Sequence, residues 1–336
     1  MTWAIAKQQK TGACRACGKG IAVGSHAFGN QRERYHLTCA GTAKPRVFAP
    51  FETRADKLIA AQPRTLAPAP RNPELEARVA ANPADEATLA VYADYLQSHG
   101  DPWGELIAFE LAGQPAEAKR VFAEHAAAFM GGQPRSWFTW KGAFIEEVIM
   151  ALRMSIKKAR ASVRTVLELP AMLLARELRV PLLVDAEIIA MVNELAPPRM
   201  TTFFCWLGDA VSELAVPSIE RLHLLLVREP VLDVRAFAPM FALERMPKLR
   251  RLDLYDAPIS VGFLEALLDS PLGRQLDWLE LTQKALDDAG TRFLLDRADQ
   301  VRRIRRLSLD PPDALAAPVR DAFGDQLAAH SAAGRD

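Results

Sequence analysis

The sequence predicts an α/β fold in which short strands and helices alternate to build a curved, horseshoe-shaped solenoid. Three observations lead to this prediction. The second half of the chain repeats one spacing of leucines, the first 39 residues hold three cysteines and a histidine at close intervals, and a proline-rich stretch follows that cluster. We therefore expect a small N-terminal domain, a short helical module and then the repeats.

The composition is that of an ordinary folded protein. Of 336 residues, 50% are hydrophobic and 25% are charged, which argues against general disorder. No run of apolar residues is long enough to span a bilayer, so no membrane contact is expected. The first residues lack the basic-then-apolar order of a secretory signal, and we expect a cytoplasmic protein.

Charge is distributed unevenly along the chain. Residues 1–70 hold eleven basic and three acidic side chains, a net charge of +8, whereas the remainder carries −7. A basic end on an acidic body is typical of a chain whose one end meets a polyanion. A solvated, solubilising surface explains the same asymmetry, and both interpretations stay open.

The N-terminal cluster has the spacing of a zinc site. Two cysteines are separated by two residues, and after eighteen more residues a histidine and a third cysteine follow, again two residues apart: Cys14, Cys17, His36 and Cys39. Zinc prefers four thiolate or imidazole ligands in a tetrahedron. The sequence therefore predicts a closed, structural Cys3His site with Zn2+ as its ion, in a domain at 1–58 too small to be stable without one. The fourth cysteine, Cys205, lies in an apolar run and is expected to be buried.

This N-terminal segment resembles the zinc finger of poly(ADP-ribose) polymerases. The likeness rests on the four ligands and on Lys7, Gly12, Ile21, Gly24, Ser25 and Tyr35. It implies binding to DNA, as that family binds ends or nicks, with basic residues contacting phosphates. The residues implied are Lys7, Lys10, Arg15, Lys19, Arg32 and Arg34.

The segment departs from that family in two respects. His26, Ala27 and Phe28 stand where the family has an arginine, and the loop that stacks on bases is missing. Phe28 is expected to lie in the core of the finger. The Cys-x-x-Cys-Gly-Lys-x-Ile pattern with His-x-x-Cys also resembles the first zinc site of a LIM domain, a protein-binding module, although no second site follows.

A linker and a helical module come next. Four prolines between residues 62 and 73 predict an extended linker at 59–73. In the module at 74–135, Asn82 and Pro83 are expected to start one helix, and Asp101 and Pro102 a second. Residues 82–105 contain the run Val-Tyr-Ala-Asp-Tyr-Leu at 91–96 and the motif Gly-Asp-Pro-x-Gly-Glu at 100–105. This segment resembles the short repeat-companion domain that precedes leucine-rich repeats in bacterial proteins, so a bacterial source is expected.

The repeats occupy residues 136–312, followed by a cap and tail at 313–336. The pattern Leu-x-x-Leu-x-Leu, with isoleucine allowed, begins at Ile219, Leu249, Leu276 and Ile304, at offsets of 30, 27 and 28 residues. Weaker copies begin at Ile145, Ala175 and Thr201. This region resembles leucine-rich repeats of the helix-containing kind, which implies a horseshoe solenoid whose strands point their leucines inward.

The intervening strand positions project from the concave face, where such proteins usually bind partners. An unknown protein partner is expected there, because arginine and tryptophan are enriched in binding hot spots. The residues proposed for contact are Arg221, His223, Arg251, Asp253, Trp278, Glu280 and Arg306. Arginines pairing with acids on neighbouring strands explain the same residues equally well.

No catalytic motif is recognisable in the sequence. A phosphate-binding glycine loop, a Gly-x-Ser-x-Gly elbow and a His-Glu-x-x-His helix are all missing. We therefore expect neither an enzyme nor a small-molecule substrate. The sequence predicts an adaptor that binds DNA through its finger and a protein through its solenoid. The alternative is a scaffold that binds proteins only, with a LIM-like structural zinc site.

Overall fold

The computed structural model describes residues 4–7, 12–21, 26–30, 33–36, 39–40, 43, 70–151, 154–206, 208–225, 238–242, 244–255, 259–282, 286–311 and 313–327. For Lys7, His26, Asp209 and Thr282 it describes the backbone alone. The chain divides into two compact units, Met1–Ala67 and Pro68–Asp336. This division falls within the stretch predicted as a linker, of which residues 59–69 lie outside the described ranges.

The first unit is built from short antiparallel strands. They are β1 (Ala4–Lys7), β2 (Gly12–Ala13), β3 (Gly20–Ile21), β4 (His26–Gly29) and β5 (Arg34–His36). Strands β1, β4 and β5 form one sheet in that order, and β2 pairs with β3. Phe28 is completely buried in a small apolar cluster with Ile5, Ile21 and Tyr35, which confirms its expected place in the core. A core of this size contributes little stability, so the fold needs a further constraint.

The second unit begins with four helices. They are α1 (Pro73–Ala81), α2 (Glu86–Ser98), α3 (Pro102–Leu111) and α4 (Pro115–Phe129). The expected start of a helix at Asn82 is wrong, because Asn82 follows the last turn of α1. Helix α2 begins three residues later, where the Asp85 carboxylate accepts from the backbone N–H groups of Ala87 and Thr88. The start of α3 at Asp101 is confirmed, since its carboxylate accepts from the N–H of Trp103.

Helices α2 and α3 cross at Gly104. A Cβ atom at this position would lie 2.5 Å from the carbonyl oxygen of Ala93, so only glycine permits the contact. The close crossing buries Tyr92 and Trp103, whose rings meet edge to face at 5.7 Å. Gly104, in the stretch that resembles the repeat-companion domain, therefore has a packing role.

An eight-stranded sheet organises the rest of the unit. Its strands are β6 (Phe138–Lys141), β7 (Phe144–Ile149), β8 (Glu177–Leu183), β9 (Thr202–Trp206), β10 (Arg221–Leu225), β11 (Arg251–Tyr255), β12 (Trp278–Thr282) and β13 (Arg306–Leu309). Their spatial order is their order in the sequence. Strand β6 forms an antiparallel hairpin with β7, and β7 to β13 are mutually parallel. Each repeated leucine motif overlaps one of these strands.

Helices lie in the connections from β7 to β8, β8 to β9, β11 to β12 and β12 to β13, whereas the described part of the connection from β10 to β11 contains a 3-10 helix, Ala238–Phe241. The α-helices are α5 (Ile156–Leu167), α6 (Ala186–Leu195), α7 (Val261–Asp269), α8 (Pro271–Gln275), α9 (Asp288–Asp296) and α10 (Ala298–Val301). The connection from β9 to β10 is the shortest, and its described part contains only a 3-10 helix, Asp209–Glu213. The buried residues of strands and helices form one continuous apolar core.

Register explains how the strands contribute to this core. In β10, Leu222 and Leu224 are completely buried, and they lie beside Leu252 and Leu254 of β11. Side chains alternate between the two faces of a strand, so the residues between the leucines lie on the opposite face. Cys205 belongs to the buried set and is fully enclosed, as expected, and burial raises the pKa of its thiol.

The end of the described chain closes over the last strand. Helix α11 (Ala316–Phe323) buries Val319 and Phe323, and the side chain of Gln326 donates to the carbonyl oxygen of Arg302 at 2.9 Å. Leu327 forms a parallel bridge with Leu307 of β13. The predicted tail beyond residue 327 lies outside the described residues. Within the described ranges, no helix has both the length and the apolar character that a membrane crossing requires.

Candidate metal centre and the polar strand face

Four potential metal ligands come together in the first unit. Cys14 follows β2 and Cys17 follows it in a tight turn, in which the N–H of Gly18 donates to the carbonyl oxygen of Cys14 at 2.8 Å. Gly18 has a φ of +72°, a conformation that glycine adopts without strain. His36 ends β5, and Cys39 lies in the helical turn that follows. Turn and strand thus bring both halves of the predicted site to one place.

The distances suit a tetrahedral ion. All four ligand atoms lie within 4.8 Å of one another. The Nδ1 atom of His36 is 3.4 Å from the Sγ of Cys17 and 4.0 Å from the Sγ of Cys39. Zinc bonds of about 2.3 Å to sulfur and about 2.0 Å to nitrogen place such atoms about 3.5 Å apart. The cluster can hold a metal ion and is consistent with zinc.

The surroundings of Cys14 favour the thiolate that a metal needs. Burial of the side chain opposes ionisation, but the backbone N–H groups of His36, Cys17 and Ala16 donate to the sulfur. The hydrogen bond from His36 is 3.3 Å long. Together these donors lower the pKa of Cys14 to about 6. A thiol that is already ionised at neutral pH binds zinc without the free-energy cost of losing its proton.

Three of the six basic residues expected to contact phosphate have described side chains. Arg15, Lys19 and Arg34 are all exposed. The backbone N–H of Arg15 donates to the carbonyl oxygen of Arg34 at 2.8 Å. The turn from Cys14 to Gly18, which we call the cysteine turn, and strand β5 therefore place two of these arginines close together. The predictions for Lys10 and Arg32, and for the side chain of Lys7, lie outside what the structure describes.

The predicted partner-binding residues share one face of the large sheet. We call it the polar strand face, and define it as Arg221, His223, Arg251, Asp253, Trp278, Glu280 and Arg306. Arg221 lies beside Arg251, Arg251 beside Trp278, and Trp278 beside Arg306 in consecutive strands. A parallel row places His223 beside Asp253 and Asp253 beside Glu280. The register therefore brings all seven residues together.

Asp253 is the centre of an ion-pair network on this face. Its carboxylate accepts from Arg221 and from Arg251, each at 2.7 Å, and no part of the Asp253 side chain is exposed. Arg251 also binds Glu280 at 3.0 Å, and the Tyr255 hydroxyl donates to Glu280 at 2.8 Å. Because Asp253 is completely covered, its role is to position the arginines, and a partner cannot reach it without rearrangement.

His223 is held in a neutral form by its surroundings. Burial lowers its pKa most, and the positive charges of Arg221, Arg179 and Arg251 lower it further, to about 3. Asp253 Oδ2 lies 3.7 Å from Nδ1 of His223, but that carboxylate already neutralises two arginines. The imidazole stacks on Tyr255, with ring centroids 4.3 Å apart. His223 therefore packs as an uncharged aromatic ring.

Trp278 lies between two arginines. The Arg251 guanidinium is 3.5 Å from the centre of the Trp278 ring, and that of Arg306 is 5.3 Å from it. Arg306 is exposed, and Trp278 is partly exposed. The indole Nε1 atom of Trp278 is buried and has no hydrogen-bond partner among the described residues. This end of the polar strand face presents cationic and aromatic surface to solvent.

Three residues that border the polar strand face were not predicted from the sequence. Phe204 meets the ring of His223 edge to face at 4.6 Å, Tyr255 stacks on it from the other side, and Arg179 binds Glu147 at 3.2 Å. Phe204 and Arg179 belong to weak copies of the motif, and Tyr255 follows a motif directly. Aligning the weak copies and extending each motif by one residue would have found all three.

Comparisons with known proteins leave the family open. No family model matches the sequence, and no curated protein matches it. Among solved structures, a Bacteroides fragilis protein determined as a structural genomics target is similar over 52% of this chain and 61% of its own, at 17% identity and a TM-score of 0.39. The chain thus spans less than two thirds of that protein, and a similarity this low supports no conclusion about function.

Proposed function

We propose that this protein is a non-enzymatic adaptor whose first unit is a zinc finger that binds DNA and whose second unit binds a protein. One observation supports this most directly. The four ligand atoms of Cys14, Cys17, His36 and Cys39 lie within 4.8 Å of one another, enough to fill the coordination sphere of one zinc ion. A zinc ion with four protein ligands has no open position for water or substrate, so the site is structural.

Exposed basic side chains beside this centre support DNA as the ligand of the finger. Arg15 and Lys19 flank Cys17 in the cysteine turn, and Arg34 lies in the adjacent strand. Such groups bind phosphate without reading sequence, and their contribution to affinity falls steeply as salt rises. The excess of eight positive charges over residues 1–70 acts in the same direction.

The second unit has features that support a leucine-rich-repeat solenoid. Its parallel strands follow one another in space as in sequence, and equivalent leucines such as Leu222, Leu252 and Leu279 lie in register. Each strand, with its connection, can bury its leucines only by stacking on the neighbouring strands. The polar strand face is then the surface for a protein partner. Its accessible part, Trp278 with Arg306, has the residue types that dominate binding hot spots.

The experiment compares DNA binding of the intact protein and a Cys39→Ala variant. Fluorescence anisotropy is measured with nicked, blunt-ended and closed-circular DNA at two salt concentrations. We expect binding that weakens at higher salt and is lost in the variant. A Cys205→Ala variant is the matched control, since it removes a thiol that the metal centre does not use. Equal binding by the protein and both variants would contradict the proposal.

A protein-binding finger is the second candidate, and Phe28 favours it over recognition of DNA breaks. Phe28 is 0% exposed, so its ring is not available to stack on an unpaired base. A finger with a closed zinc site and no stacking side chain matches a half-LIM module as well. If none of the three DNAs binds even at low salt, this scaffold function replaces the first proposal.

A further inference from the structure

A cavity lies within the second unit, and the residues that define the polar strand face do not line it. It has a volume of about 450 Å3 and is bounded by helices α2 and α3 and by the hairpin of β6 and β7. Its apolar wall is formed by Leu89, Ile107, Leu111, Phe144 and Leu174. Binding sites for small molecules have volumes of about 300–1,000 Å3 and similar apolar linings. This cavity is therefore large enough for a small molecule and too small for an element of a folded partner.

Charged groups line the same cavity and leave it with a net positive charge. Three cationic residues, Lys141, Arg176 and Arg199, face two acidic ones, Glu110 and Glu146. Lys141 lies 3.8 Å from Glu146, which offsets one charge of each sign. The two guanidinium groups then outnumber the remaining carboxylate. A bound molecule that matches this surface carries a single negative charge beside an apolar body.

The two arginines differ in how they are held. Nη1 of Arg199 donates to the carbonyl oxygen of Ala80 at 2.8 Å, which fixes the group at the cavity and leaves its other N–H donors for a ligand. Arg176 is exposed, and its guanidinium has no hydrogen-bond partner among the described residues. A carboxylate is the anion whose geometry a guanidinium matches with two parallel hydrogen bonds.

The walls of the cavity are fixed by buried contacts. Nε1 of Trp103 donates to the carbonyl oxygen of Ala143 at 2.8 Å, which ties α3 to the hairpin. The ring of Trp103 also packs against that of Phe144, with centroids 5.1 Å apart. A cavity that exists before the ligand arrives avoids much of the entropic cost of ordering a site.

We propose that this cavity binds a small amphipathic carboxylate, with its apolar body against Leu111 and Phe144 and its carboxylate on Arg176 and Arg199. The ligand is bound and not transformed. The site therefore adds a small-molecule input to the proposed adaptor.

Calorimetric titration of the full chain with octanoate and with 1-octanol tests the proposal. The two probes share an alkyl chain and differ in charge. We expect octanoate to bind at least about tenfold more tightly, since a charge-assisted hydrogen bond contributes about that factor or more. Arg176→Gln should reduce octanoate affinity by about tenfold and leave 1-octanol unchanged. Leu111→Trp, which fills the cavity, should reduce binding of both probes.

Arg292→Gln is the matched control, because Arg292 is an exposed arginine of α9 that does not line the cavity. Its affinity for octanoate should equal that of the parent protein. Circular dichroism of each variant confirms that the fold is retained, and Arg176, being exposed, is expected to tolerate the change. Equal affinity for the two probes, octanoate binding that Arg176→Gln does not weaken, or no binding of either probe would each overturn the proposal.

Discussion

The carboxylate of Asp253 accepts a hydrogen bond from the guanidinium of Arg221 in the neighbouring strand, at 2.7 Å, and is completely shielded from solvent. The same carboxylate also binds Arg251. Removing one member of a buried ion pair leaves the remaining charge without compensation. A substitution of Asp253 therefore acts on two arginines in two neighbouring strands.

Asp253→Asn should therefore destabilise the second unit. We expect a loss of about 2 kcal/mol in the free energy of unfolding, less than for a fully buried pair because both arginines remain partly exposed. Urea denaturation followed by far-ultraviolet circular dichroism measures the change. Asp277→Asn is the control, since Asp277 is exposed and lies 4.0 Å from Arg250. The control should change stability by less than about 0.5 kcal/mol, and an equal effect of both substitutions would contradict the role given to Asp253.

The low pKa of His223 leads to a prediction of how the stability of the fold depends on pH. Its pKa is about 3 in the folded protein, whereas an unfolded histidine titrates near 6.5. Below about pH 6.5 the unfolded chain takes up a proton that the folded chain does not, so stability falls as pH decreases toward about 3. Above about pH 6.5 the imidazole is neutral in both states and contributes no pH dependence.

Urea denaturation at several pH values between about 5 and 7.5 measures this effect. His223→Phe retains an aromatic ring beside Tyr255 but cannot take up a proton, so its stability should decline less over this range. His99→Phe, at an exposed position after α2, is the matched control and should behave like the parent protein. Parallel pH profiles for the parent and His223→Phe would refute the prediction.

The metal centre predicts a stoichiometry. The protein should contain about one zinc per chain, because the four ligands form one closed site. Cys39→Ala should lose most of this zinc, and Cys205→Ala should retain it, since Cys205 lies in the core of the second unit. Elemental analysis of the purified variants distinguishes the two. Equal zinc content would show that Cys39 is not a ligand.

Chelation of the metal predicts a selective loss of structure. The first unit has a small apolar core and should unfold when the ion is removed. The second unit has its own continuous core and should remain folded. Two-dimensional amide NMR spectra before and after chelation separate the outcomes. If the dispersed signals of both units disappeared, the prediction that the second unit stays folded without the metal ion would be wrong.

The basic side chains beside the centre predict a change in salt dependence. Each phosphate contact adds about 0.9 to the slope of log affinity against log salt. Arg15→Gln should weaken DNA binding and reduce the magnitude of that slope by about this amount. Arg274→Gln, which changes an exposed arginine of the second unit, should leave the slope unaltered. An unchanged slope in Arg15→Gln would remove Arg15 from the DNA-contacting surface.

The sequence predicted most of the sheet because its signal is local. Leucines at alternating positions, such as Leu222 and Leu224, mark the buried side of a strand whatever lies around them. The metal cluster could also be predicted from the sequence, since Cys14 and Cys17 need only a short turn to face one ion. The spacing of the ligands in the sequence does not predict the hydrogen bond from the N–H of His36 to the sulfur of Cys14. That contact depends on the position of β5 relative to the cysteine turn.

Other features required the three-dimensional arrangement. Asn82 and Asp85 are both good capping residues, and the choice of Asp85 depends on where α1 ends. The exposure of Asp253 was overestimated because alternation predicts which face a side chain lies on, and not how deeply its neighbours cover it. The cavity of Leu111 and Arg176 brings together residues far apart in sequence, and no short motif encodes it.

In the part of the chain that the structure describes, each strand from β7 to β13 pairs with the strands that precede and follow it in the sequence and with no other strand. Contacts between distant segments are therefore not needed to close this part of the fold. A whole strand-and-connection unit could be duplicated or deleted between β10 and β12 while the flanking units kept their own partners. The number of side chains on the polar strand face can thus change by gene duplication without a new fold, and the sheet can be lengthened in evolution or by design one strand and connection at a time.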